Sequence, residues 1–159
     1  MTKGRQALGL LVALAITFAA AGIGSAFTSQ SVGDWYAGLE KPSFNPPSWV
    51  FGPVWSVLYT LMAVAAWLVW RQGGWMSAHV ALGLYAVQLV LNATWSGLFF
   101  GAQMPGAAFV ELVVLWLAIV ATTVAFFRKS IPAGVLLAPY LAWTTLAGVL
   151  NFTLWRLNA

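Results

Sequence analysis

The stretch QALGLLVALAITFAAAGIGSAF, residues 6–27, carries no charged side chain from end to end. A helix rising about 1.5 Å per residue needs about 20 apolar residues to cross the hydrocarbon core of a bilayer, so this run predicts a membrane span. Lys3 and Arg5 ahead of it and Gly24-Ser25-Ala26 near its end imitate a secretory leader. The apolar run is longer than the leader's usual core of about 7–15 residues, which favours a retained helix.

Outward from this run, the rest of the chain has the same character. Of 159 residues, 62% are hydrophobic and 6% charged, and mean hydropathy is +0.87. A soluble domain carries about a quarter charged residues, so this chain cannot cover a water-facing globule and must present most of its surface to lipid. Further apolar runs at about 51–70, 79–100, 106–127 and 131–155 predict, with the first at 6–27, an all-α membrane protein: a single bundle of five transmembrane helices over residues 1–159. Residues 28–50 hold Asp34, Glu40, Lys41, Pro42, Pro46 and Pro47 and form the one long loop.

The net charge of +4 comes from Lys3, Arg5, Lys41, Arg71, Arg128, Lys129 and Arg156, scattered at segment ends. That distribution is a topology signal and excludes a nucleic-acid surface. Five of the seven cations fall on the face of the amino terminus and two, Lys41 and Arg156, on the other. The expectation is a multi-pass protein with a cytoplasmic amino terminus, in a bacterial membrane. Without cysteine, and with His79 as the single histidine, no metal site is expected.

Ten Trp, ten Phe and four Tyr make an aromatic load whose placement matters more than its size. Trp70, Trp75 and Trp155 sit at span ends, where interfacial belts form. Deeper aromatics align with polar groups. Gln88, Asn92, Trp95 and Phe99 follow steps of four, three and four, so they share one helical face; Tyr140, Trp143, Ala147 and Asn151 repeat the pattern, and Phe51, Trp55, Tyr59 and Met62 form a third stripe. An amide facing lipid without a partner costs several kcal/mol, so Gln88 and Asn92 look inward. Their spacing serves a helix-to-helix hydrogen bond and a ligand contact equally well. Three inward stripes of large rings with a few hydrogen-bonding groups describe the wall of a pocket for a flat apolar ligand, with a packed core of rings as the plainer reading.

Glu111 is the only acid inside a span, about one turn from its helix start, within reach of headgroups. No second acid and no paired nucleophile and base accompany it, so catalytic residues are not identifiable. Gly97-x-x-x-Gly101 offers a close helix approach or a dimer contact.

The densest motif is Trp35-Tyr36-Ala37-Gly38-Leu39-Glu40-Lys41-Pro42-Ser43-Phe44-Asn45-Pro46-Pro47-Ser48-Trp49-Val50-Phe51-Gly52-Pro53-Val54-Trp55, then Leu58-Tyr59. With Gln88-Leu89-x-Leu91-Asn92-x-x-Trp95, Phe99-Phe100-Gly101 and Pro139-Tyr140-Leu141-Ala142-Trp143 running to Leu150-Asn151-Phe152, it closely resembles the tryptophan-rich sensory protein and translocator protein family, which includes the peripheral-type benzodiazepine receptor, over nearly the whole chain. The resemblance implies a five-helix bundle, often a homodimer, that binds porphyrins such as protoporphyrin IX and isoquinoline or benzodiazepine drugs among its helices under the first loop. Carried over by position, it marks Trp49, Trp55, Gln88, Asn92, Trp95, Trp143 and Ala147. Joined with Tyr59, Phe99, Tyr140 and Asn151 from the stripes, these form the expected ligand site. Trp35, Tyr36, Lys41, Pro42, Pro46 and Pro47 lie in the loop above it, where Lys41 and Arg156 are placed to meet propionates. Phe152 stands where the family's proposed cholesterol motif has Tyr, which argues against strong sterol binding.

The expected function is therefore sensing, buffering or transport of tetrapyrroles, with the porphyrin as ligand and no cofactor required. One alternative implied by the resemblance is light- and oxygen-dependent breakdown of the porphyrin; another is a structural or adaptor protein whose stripes are only packing.

Overall fold

The computed structural model describes all residues, 1–159, as five long helices with no strand. They are α1 (Lys3–Ser31), α2 (Ser48–Trp70), α3 (Gly74–Ser96), α4 (Pro105–Lys129) and α5 (Ile131–Leu157), with one π-helical turn, Gly97–Gly101, extending α3. Each is long and apolar enough to cross a membrane.

Helix limits differ from those read in the sequence for local reasons. α1 runs on to Ser31 because its polar end is satisfied in helical form: the Thr28 hydroxyl donates to Gly24 O at 2.9 Å and the Ser31 hydroxyl to Phe100 O at 2.7 Å. α2 begins at Ser48, directly after Pro47, which cannot itself continue a helix backward. α3 starts at Gly74, earlier than its apolar run, where φ of +73° turns the chain sharply after α2; only glycine adopts that value without strain. The long loop is correspondingly shorter, Val32–Pro47. Between α4 and α5 only Ser130 intervenes, its hydroxyl accepting from Ala133 N at 3.4 Å as an N-cap.

The helices close a ring in which α1 packs on α2 and α3, α2 on α5, α5 on α4, and α4 on α3, while α1 touches neither α4 nor α5. Lipid tails are as apolar as leucine, so close packing and interhelical hydrogen bonds hold such a ring more than burial from water does. In the half remote from the loop, fully buried Ala63, Ala65, Ala78 and Ala133 let backbones approach around Met62, Val69, Ile119, Phe126 and Leu137. There the Tyr85 ring stacks on Phe126, with centroids 5.8 Å apart, and its hydroxyl meets Thr17 Oγ1 at 2.6 Å. Under the loop lies a second, smaller cluster of Tyr36, Phe99, Ala108 and Leu154.

The π turn has an identifiable cause. The Phe27 ring of α1 lies against Gly97 and Gly101, and a Cβ on Gly101 would sit 2.8 Å from Phe27 Cδ1. The widened turn, closed by Ala102 N to Gly97 O at 2.8 Å, leaves Phe100 O for Ser31. The Gly97-x-x-x-Gly101 pair is thus a seat for Phe27 within the chain, the close helix approach of its two readings.

Candidate functional site

Between the two clusters the bundle encloses a cavity of about 630 Å³. Such a volume is in the range of about 300–1,000 Å³ typical of small-molecule sites. Its walls come from α1, α2, α3 with the π turn, α5 and the loop; α4 contributes none.

A row of hydrogen bonds forms the floor. Tyr59 OH donates to Asn92 Oδ1 at 2.8 Å, Asn92 Nδ2 donates to Tyr140 OH at 2.8 Å, and Tyr140 OH donates to Gln88 Oε1 at 2.7 Å. This row joins α2, α3 and α5. The two amides left open by their spacing are therefore both structural, and Asn92 also faces the cavity. Gln88 lies one turn deeper, is buried, and does not line the cavity; its Nε2 has no partner within hydrogen-bond distance.

Aromatic rings make the sides. Trp55 packs on Tyr59 with centroids 5.5 Å apart and meets Tyr140 edge-on at 6.3 Å. Phe51 meets Trp143 edge-on at 6.0 Å, and Trp95 stacks on Phe99 at 5.2 Å and 23°. Trp95 is fixed further: its Nε1 donates to Asn151 Oδ1 at 2.9 Å, and Asn151 Nδ2 donates to Pro105 O at 2.8 Å, tying the wall to the first residue of α4.

Of the expected residues, Tyr36, Trp55, Tyr59, Asn92, Trp95, Phe99, Trp143, Ala147 and Asn151 line the cavity. Tyr140 is fully buried behind Trp55 and acts through the floor. Trp49 is off the wall and 75% exposed. It lies six residues before Trp55, so at about 100° per residue the two rings leave α2 on faces about 120° apart. Trp35, Pro42, Pro46 and Pro47 sit in or at the end of the loop without reaching the cavity, Trp35 packing edge-on against Phe99 at 5.6 Å.

Lys41 is also off the wall. Its ammonium donates to Ala37 O at 3.2 Å and Leu39 O at 3.0 Å and lies 4.8 Å from the Tyr36 ring centroid, so it braces the loop. Arg156 is likewise absent from the wall, and no charged side chain lines the cavity. Glu111 points into the bundle outside the cavity, both carboxyl oxygens buried without a hydrogen-bond partner. His79, exposed, bonds to Met76 O at 3.0 Å near the start of α3, far along that helix from Asn92 and Trp95.

The whole α1 wall was missed by the sequence reading: Phe18, Ala21, Gly22, Gly24, Ser25, Thr28, Ser29. Their signal was faint, small residues recurring at helical spacing with no ring or amide among most of them. Gly22, Ser25 and Ser29 of α1 and Ser48, Gly52 and Ser56 of α2 line the cavity and are also exposed, so the cavity opens sideways along the α1–α2 seam. The hydroxyls of Ser29 and Ser56 bond back to Ala26 O at 3.1 Å and Gly52 O at 2.9 Å, which lowers the polarity of that slot.

Residues 11–156 match the model of the TspO/MBR family. The chain is 45% identical over 150 residues to the tryptophan-rich protein TspO of Archaeoglobus fulgidus, covering 94% of each. It is 48% identical over 138 residues to the translocator protein of Homo sapiens, covering 86% of this chain and 82% of the human one. To the tryptophan-rich sensory protein of Cereibacter sphaeroides it is 43% identical over 148 residues, covering 92% of each.

Proposed function

The chain belongs to the TspO/MBR family of integral, multi-pass membrane proteins, and from that premise we propose that it binds protoporphyrin IX, or a related flat apolar molecule, in the cavity among its helices for tetrapyrrole sensing, buffering or transport. The observation that carries this reading is a cavity walled by Trp55, Trp95 and Trp143 from three different helices over a floor row of hydrogen bonds from Tyr59 through Asn92 to Tyr140. A tetrapyrrole offers a broad ring to stack on indoles. Its propionates lie toward the loop, where Asn45 and Ser48 supply neutral polar groups in place of the lysine expected there. The guest reaches the site from the bilayer through the α1–α2 seam, with the amino terminus of the protein on the cytoplasmic side.

Titration of the purified protein with protoporphyrin IX should quench tryptophan fluorescence saturably, and Trp143→Phe should weaken the affinity about three- to tenfold, the size of a lost ring contact. Quenching that never saturates, or is the same in the variant, would sink the reading.

A further inference from the structure

The loop Val32–Pro47 covers the cavity, contributing Val32, Tyr36 and Asn45 to its wall. Only one side chain from outside the loop hydrogen-bonds to it, and that is Asn158, just past the end of α5. Glu40 N–H donates to Asn158 Oδ1 at 2.8 Å, and Asn158 Nδ2 donates to Glu40 O at 2.9 Å. One side-chain amide thus pairs with both backbone polar groups of a mid-loop residue, as a neighbouring strand would.

The same residue is fixed to the bundle from the other side. Asn158 Nδ2 also donates to Leu154 O at 2.9 Å and its backbone N–H to the same carbonyl at 3.1 Å. Leu154 is buried and lines the cavity. On the loop side, Lys41 braces Ala37 and Leu39, and Tyr36 packs between Phe99 and Phe100 at 6.3 and 5.6 Å. Movement at Glu40 is therefore passed to Tyr36 through a stiffened segment.

We propose that Asn158 is a positioning residue, a latch that holds Glu40 against the end of α5 and sets how often the cavity opens to water on the loop face. Its effect on a guest rests on the cavity being the ligand site; the latch itself is a property of the empty protein.

Because the chain has no cysteine, Ala147→Cys places a single thiol on the cavity wall, and its rate of modification by a charged, membrane-impermeant thiol reagent reads the opening without any ligand. Adding Asn158→Ala should speed that modification about tenfold, the size expected for losing a pair of neutral hydrogen bonds. Asn158→Asp, which keeps the acceptor for Glu40 N–H, should fall between. A thiol at Ala102, exposed in the turn between the π-helical turn and α4, should react at the same rate with or without the latch. With protoporphyrin, Asn158→Ala should raise association and dissociation rates together and leave the equilibrium affinity nearly unchanged. An unchanged rate at Ala147→Cys, or equal acceleration at Ala102→Cys, overturns the latch. Faster labelling in a protein that binds no porphyrin overturns the proposed function and leaves the latch standing.

Discussion

The seam between α1 and α2 is built in two ways along its length. Toward the amino terminus of α1 it is shut by large rings: Trp70 fills the space over Gly9, Trp67 Nε1 donates to Gln6 O at 2.9 Å, and Phe18 leans on Tyr59 with centroids 6.1 Å apart. Toward the loop, small residues face small residues, and nothing lies within 4 Å of where a Cβ on Gly22 or Gly52 would be. Glycine in the first region accommodates a ring; glycine in the second leaves an opening. The residue type alone does not distinguish a packed seam from a portal, and what decides is whether the opposite helix supplies an indole or a hydroxymethyl group.

The difference can be broken first at its closed end. Gly9→Leu would drive side-chain atoms into the rigid Trp70 indole, and we expect a loss of about 3 kcal/mol, at the upper side of overpacking costs, read by unfolding in detergent. At the boundary between the halves, Tyr140→Phe removes the hydroxyl that serves both Asn92 and Gln88. It should cost about 2 kcal/mol, since interhelical bonds in membranes are worth about 1 kcal/mol each and the orphaned amides add to the loss. At the open end, Gly22→Leu should change stability by less than about 0.5 kcal/mol. It should nevertheless slow porphyrin association measured by stopped-flow quenching. A Gly22→Leu protein as destabilised as Gly9→Leu would show that the two ends are packed alike.

The sequence revealed the five spans because uninterrupted apolar length is a physical requirement of crossing a bilayer, and no other constraint imitates it over five segments. It revealed three of the cavity walls because rings and amides at helical spacing cannot face lipid together. The α1 wall stayed hidden since Gly22, Ser25 and Ser29 contribute by what they lack, and a missing side chain leaves no periodic signal. Gln88 shared a face with Asn92 in the spacing, but depth along the helix, one turn, separates floor from foundation, and spacing carries no information on depth. The same limit applies to Lys41. A lysine in a loop reads as a cation for an anionic guest until the carbonyls of Ala37 and Leu39 are seen to hold it. Asn158 gave no sign at all, because its partner is the backbone of a residue 118 positions away.

The neutrality of the cavity wall has an electrical consequence. A transmembrane voltage does work only on charge that moves through it, about 2.3 kcal/mol per elementary charge across 100 mV. With no ionised side chain on the wall, an uncharged guest should enter and leave at rates indifferent to the membrane potential. Any voltage dependence seen with a porphyrin dicarboxylate would report the depth to which its own propionates travel, which makes the guest itself a gauge of how far into the field the site lies.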